Sequence, residues 1–162
     1  MHYFIDGYNF LFQLYEEIDP LREKREEVIK HLQEKLKSLH LDITIVFDSH
    51  RTQSSFFPTR FEQHSLEIVY TPAGQTADSY ILEALTWNKY NHAETVVTSD
   101  KQLAIHIKAL GAKVQSIGSF IQWLLKKDLR NRKDTKQQEE DPQEFKRLLD
   151  AFEKRFNKNT DV

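Results

Sequence analysis

The sequence predicts an α/β protein, a three-layer α/β/α sandwich around a mainly parallel central sheet. Three observations carry that expectation. Short β-branched runs alternate with amphipathic helical patterns in the order β-α-β-β-α-β-α-β-α, the signature of crossover units. The strand candidates are apolar almost throughout, as parallel strands covered on both faces must be. The chain also has 162 residues, 39% of them hydrophobic and 30% charged, which suits one domain with one buried core.

The elements follow from local chemistry. His2 to Asp6 reads as a strand ending at Gly7. Asp19 and Pro20 open a helix to about Leu39, in which Val28, Ile29, Leu32, Leu36 and Leu39 recur at three and four. Ile43–Phe47 is a second strand ending at Asp48, and Leu66–Tyr70 a third, before Thr71, Pro72 and Gly74. A helical pattern from Thr76 to about Tyr90 (Ala77, Ile81, Leu82, Leu85) leads to a fourth strand, Thr95–Thr98, that stops at Ser99-Asp100. Leu103, Ile107 and Leu110 mark the next helix, capped by Gly111, and Lys113–Ile117 is a fifth strand before a helix over 118–129. Residues 131–141 hold no apolar side chain and read as a polar linker, so the main domain is placed at 1–130. Asp141, Pro142 and Glu144 then start a C-terminal amphipathic helix within 142–162, with Phe145, Leu148, Leu149, Phe152 and Phe156 in one stripe.

Composition excludes several functions. Without cysteine there is no disulfide scaffold, thiol nucleophile or thiolate zinc site, and no apolar run approaches the length of a membrane span. A cytoplasmic setting is the default expectation. The net charge of -2 is uneven: residues 1–125 carry 12 basic and 16 acidic side chains, and residues 126–162 carry 11 and 9.

Ligands of an open parallel sheet bind beyond the carboxyl ends of its strands. Asp6, Asp48 and Asp100 each follow a strand there, and Asp78 lies in the first turn of the helix after the third strand. Each alone is an ordinary helix cap or first-turn acid. Together they repel one another unless a cation or proton compensates them. Hard oxygen donors without cysteine favour Mg²⁺ or Mn²⁺, ions that bind phosphates, and hence a phosphodiesterase or phosphatase.

The segments Phe4-Ile5-Asp6-Gly7-Tyr8-Asn9, Val46-Phe47-Asp48-Ser49-His50, Thr76-Ala77-Asp78 and Thr98-Ser99-Asp100 resemble, in order and spacing, the signatures of the NYN branch of PIN-like nucleases. They are most similar to its YacP-like bacterial members, ribosome-associated endoribonucleases acting on messenger RNA. The resemblance spans residues 2 to about 117. It implies the PIN-like sandwich, with Asp6, Asp78 and Asp100 as metal-binding catalytic acids, Asp48 as a fourth acid, and Asn9 and Ser99 as polar supports. The activity implied is hydrolysis of single-stranded RNA. Ser79 stands where many relatives carry a glutamate, a departure that bears either on helix capping or on activity.

Residues 49–65 interleave Arg51, Phe56, Phe57, Arg60, Phe61 and His64, a mixture suited to stacked bases and phosphates. Under a loop the same phenylalanines would simply complete the core. His50 and Lys101 flank the acids and are candidate phosphate contacts, and Lys126, Lys127 and Arg130 open a basic stretch reaching residue 136. The expected partners are single-stranded messenger RNA and the ribosome, with no membrane. Two other readings stand beside this one: a non-catalytic RNA- or ribosome-binding module, and a receiver-like phosphoacceptor. The second is disfavoured because Asp6 is followed by Gly7 instead of a second acid.

Overall fold

The computed structural model describes residues 1–15, 20–37, 39–49, 56–88, 93–134 and 147. Its sheet has six strands: β1 (His2–Asp6), β2 (Asp42–Phe47), β3 (Thr59–Gln63), β4 (Leu66–Tyr70), β5 (Glu94–Val97) and β6 (Lys113–Gln115). The helices are α1 (Gly7–Leu14), α2 (Leu21–Leu36), α3 (Ala77–Trp87), α4 (Lys101–Ala109) and α5 (Ile117–Asp134). The strand order is β3-β4-β2-β1-β5-β6, parallel throughout except for the antiparallel edge strand β3. β1 is thus central, with Ile5 in register with Ile45 on one side and Val97 on the other.

Alternate strand residues point to opposite faces, and the two faces build separate cores. Ile5, Ile43, Ile45 and Phe47 pack with Leu11 and Leu14 of α1, Val28 and Leu32 of α2, and Phe120 and Leu124 of α5. Phe4, Val46, Val69 and Val96 meet Ile81 and Leu85 of α3 and Leu103 and Ile107 of α4. The sandwich is three-layered, as the apolar strands require.

Three expectations change. Residues after Gly7 form the helix α1, whose Tyr8, Phe10, Leu11 and Leu14 are all buried. Residues 59–63 form β3, a strand exposed along its whole length, so the expected long connection is shorter and ends in an antiparallel hairpin. The final helix of the sandwich, α5, continues to Asp134, four residues into the stretch expected as linker. The expected C-terminal helix lies outside the described residues. No helix among the described residues is long and apolar enough to cross a membrane.

Candidate active site

The four aspartates gather at the carboxyl edge of the sheet, where two of them cap the helices that follow their strands. Asp6 ends β1 and caps α1, its Oδ1 accepting from the Asn9 backbone N–H at 3.2 Å. Asp100 follows β5 and caps α4, with Oδ1 accepting from Gln102 N–H at 2.7 Å and Leu103 N–H at 2.9 Å. Asp48 follows β2 and reaches across to α3, where its Oδ1 accepts from the Ala77 N–H at 2.5 Å. Asp78 is the next residue of that helix, whose own cap is the Thr76 hydroxyl accepting from Ser79 N–H at 3.2 Å. Serine at 79 therefore keeps the forward half of the cap and forgoes only the returning glutamate contact.

Burial turns this cluster into more than a set of caps. Asp6 is only 9% exposed, and its pKa is pushed up to about 7. Burial is the largest cause; the Asn9 N–H opposes it, while the charges of Asp78 and Asp48 and a hydrogen bond with Asp78 add to it. Asp78 is raised as well, by burial first and then by the charges of Asp100 and Asp48, against the hydrogen bond from Asp6. Both carboxyls are held above the ordinary carboxylate range because each negative charge is costly beside the others.

A second network holds the pair in place. The Thr98 hydroxyl, on a residue 3% exposed, accepts from Asn9 Nδ2 at 3.3 Å and from the Asp100 N–H at 3.0 Å. Asn9 thus serves Asp6 through its backbone and Asp100 through Thr98. The expected support from Ser99 is instead provided by Thr98; Ser99 is exposed. Thr71 plays a similar part on the other side, accepting from Ser49 N–H at 3.1 Å and donating to the Gln75 carbonyl at 2.7 Å. Neither threonine stands out in the sequence, where acids after strands are conspicuous and the hydroxyls beside them are not.

The fit to a divalent cation rests on the Asp6–Asp78 pair. Its hard oxygens, on one buried and one half-buried carboxyl whose charges repel, are suited to such an ion. Among the described residues, no three acidic, histidine or cysteine side chains stand together at ligand spacing. Asp48 and Asp100 act on the pair through their charge while each spends one oxygen on a helix N-terminus.

The expected nucleic-acid contacts separate into groups. Lys101 is exposed beside Asp100. Phe56, Phe57 and Phe61 are 93%, 78% and 51% exposed, so they do not complete the core. The register Thr59 opposite Tyr70 sets Phe56 and Phe57 beyond the carboxyl end of β4, on the edge that holds the acids. Arg60 is tied back, Nη2 donating to the Tyr80 hydroxyl at 2.8 Å with Glu67 at 3.6 Å from Nη1. Lys126, Lys127 and Arg130 lie elsewhere: α5 runs back from the carboxyl edge, and Trp123, against which Lys127 packs, lies tilted against the ring of Tyr3 near the start of β1. The basic stretch therefore lies toward the opposite edge, because a helix leaving a parallel strand returns along the sheet. His50 and Arg51 lie outside the described residues.

A mainly parallel sandwich with a buried Asp6 and a half-buried Asp78 at the centre of its carboxyl edge is the frame of a nuclease-type fold of RNA-processing proteins, as the family match shows. The chain belongs to the YacP-like NYN domain family, whose profile matches residues 3–160. The crystal structure of Rae1 (YacP) from Bacillus subtilis is 24% identical, with a TM-score of 0.59 over 100% of this chain and 98% of that one. A mutant of the same protein is 22% identical, with a TM-score of 0.58 over 82% and 77%. No curated protein sequence matches the chain.

Proposed function

We propose that this chain is an endoribonuclease that hydrolyses phosphodiester bonds of single-stranded RNA at the carboxyl edge of its sheet, with Mg²⁺ or Mn²⁺ as cofactor. The observation that carries the reading is the pair of the buried Asp6 and the half-buried Asp78, whose excess negative charge calls for a cation. Family membership supports the same conclusion. Asp6 and Asp78 would hold the ion, with Asp100 and Asp48 completing the negative field. When bound, the ion supplies the positive charge that draws a phosphodiester to the acids and makes water a better nucleophile. The chain's own residues do the rest. Thr98 and Asn9 fix the orientation of Asp6 against Asp100, and Lys101 meets a phosphate oxygen at the start of α4. Phe56, Phe57 and Phe61 give unpaired bases a stacking surface, which favours single strands over duplex. The setting we assign, cytoplasmic messenger RNA at the ribosome, rests on the family resemblance.

Asp6→Asn and Asp78→Asn variants test this reading. Each should keep its fold and lose at least a hundredfold in cleavage of single-stranded RNA in Mn²⁺, and chelator should abolish cleavage by the wild type. Wild-type rates in a folded Asp6→Asn variant would overturn it. A non-catalytic RNA-binding module is the second reading, favoured by Ser79 and by the lack of a three-ligand cluster among the described residues. Salt-sensitive RNA binding without metal-dependent cleavage would select it.

A further inference from the structure

Arg25 is a buried cation that the acid cluster does not explain. Its residue is 7% exposed, inside the first two turns of α2. One guanidinium nitrogen, Nη1, donates to the Tyr8 hydroxyl at 3.4 Å, a long contact, while Nε is buried without a partner. The rings of Tyr70 and Phe47 lie at 5.1 and 5.9 Å from the guanidinium carbon. Among the described residues no carboxylate pairs with it. The nearest acids along its own helix are engaged elsewhere, Glu26 with Arg22 at 3.0 Å and Glu27 with Lys24 at 3.4 Å. Aromatic faces offset part of a buried guanidinium's lost hydration, and an uncompensated charge still favours an anion.

The position of Arg25 says which anion. Tyr8 is two residues beyond Asp6, Phe47 directly precedes Asp48, and Tyr70 ends β4, so the guanidinium lies at the carboxyl edge beside the acids. Toward solvent it is bordered by the half-buried Tyr70, which packs edge-on against the exposed Phe61. A planar fork with an unused N–H, next to a tyrosine hydroxyl, matches the oxygens of a phosphate. We propose that Arg25 and Tyr8 form a subsite for one backbone phosphate of the RNA, flanking the bond to be cut. The proposal rests on the RNA-substrate reading. It assigns Arg25 to substrate positioning, distinct from the acids that carry the chemistry.

The test measures binding separately from cleavage. In the full chain carrying Asp6→Asn, single-stranded RNA affinity is measured across salt concentrations with position 25 as Arg, Gln or Lys. Arg25→Gln should weaken binding about tenfold and reduce the slope of log affinity on log salt by about 0.7, the value for one phosphate on a single strand. Arg25→Lys should keep the slope and lose only part of the affinity. An Arg25→Gln variant that is folded and binds with unchanged affinity and slope would overturn the subsite, leaving Arg25 as a packing residue. A second arm needs no change at position 25. Inorganic pyrophosphate, added with chelator present, should raise the melting temperature of the wild type, and Tyr8→Phe should diminish that rise. An equal rise in both proteins, or none in the wild type, would overturn the proposal even where Arg25→Gln fails to fold. Loss of the nuclease reading looks different: no metal-dependent cleavage, with Arg25-dependent binding intact.

Discussion

Asp6 shows how one residue can be both a structural cap and a source of strain. As the cap of α1 it accepts from Asn9, a role asparagine would fill equally well. As a buried acid beside Asp78 it titrates near 7, far above the ordinary value of 3.8. The folded state therefore keeps a proton that the unfolded chain releases between those values, so stability must fall as pH rises through that window and level off above it. A tenfold difference in proton affinity is worth about 1.4 kcal/mol, which puts the whole effect at a few kcal/mol. We expect Asp6→Asn to be more stable than the wild type at pH 8 in chelator, with the difference shrinking toward pH 4. Urea denaturation at both pH values measures it, and a difference independent of pH would contradict the raised pKa. Stabilisation with loss of cleavage would mark a residue kept for chemistry at a cost to the fold.

At the scale of elements, the junction of β1 and α1 depends on a close approach. A Cβ at Gly7 would run into the Phe47 ring, which is fully buried and cannot yield freely. Alanine ordinarily gains about 1 kcal/mol over glycine inside a helix. Here overpacking should outweigh that gain, giving Gly7→Ala a net loss of about 1–2 kcal/mol and displacing Asp6. A raised urea midpoint for Gly7→Ala would refute the contact. The same junction explains what the sequence concealed. α1 is short and buried by Tyr8, Phe10, Leu11 and Leu14, so it lacks the polar outer stripe that marks α2. β3 is hidden for the opposite reason: Thr59–Gln63 is exposed throughout and shows no alternation of apolar residues. Strands buried on both faces, such as Leu66–Tyr70, are legible to the residue. The acids are legible too, since their place after strands is a matter of chain order. Thr98 is not, because a buried hydroxyl is recognised by its partners, and those come from α1 and from the residue that caps α4.

The whole molecule is tied together at the edge away from the acids by Lys35 of α2 and Asp128 of α5. Their charged atoms stand 2.7 Å apart, and each side chain is 8% exposed. Removing one partner breaks a close ion pair whose side chains are almost wholly withdrawn from water. Lys35→Met should therefore cost about 3–5 kcal/mol, and Lys35→Met with Asp128→Leu should recover most of that loss. A double-mutant cycle by urea denaturation measures it, and additive losses would show that the two side chains do not interact. The strand order has a further consequence, in the timing of folding. β1 is the first strand made, yet its two neighbours are β2 and β5, and the partner acid of Asp6 arrives only with α3. Contacts between segments so far apart in the chain are slow to form. The acid cluster should accordingly be among the last native features regained on refolding, and a chain halted before β5 would lack Asp100.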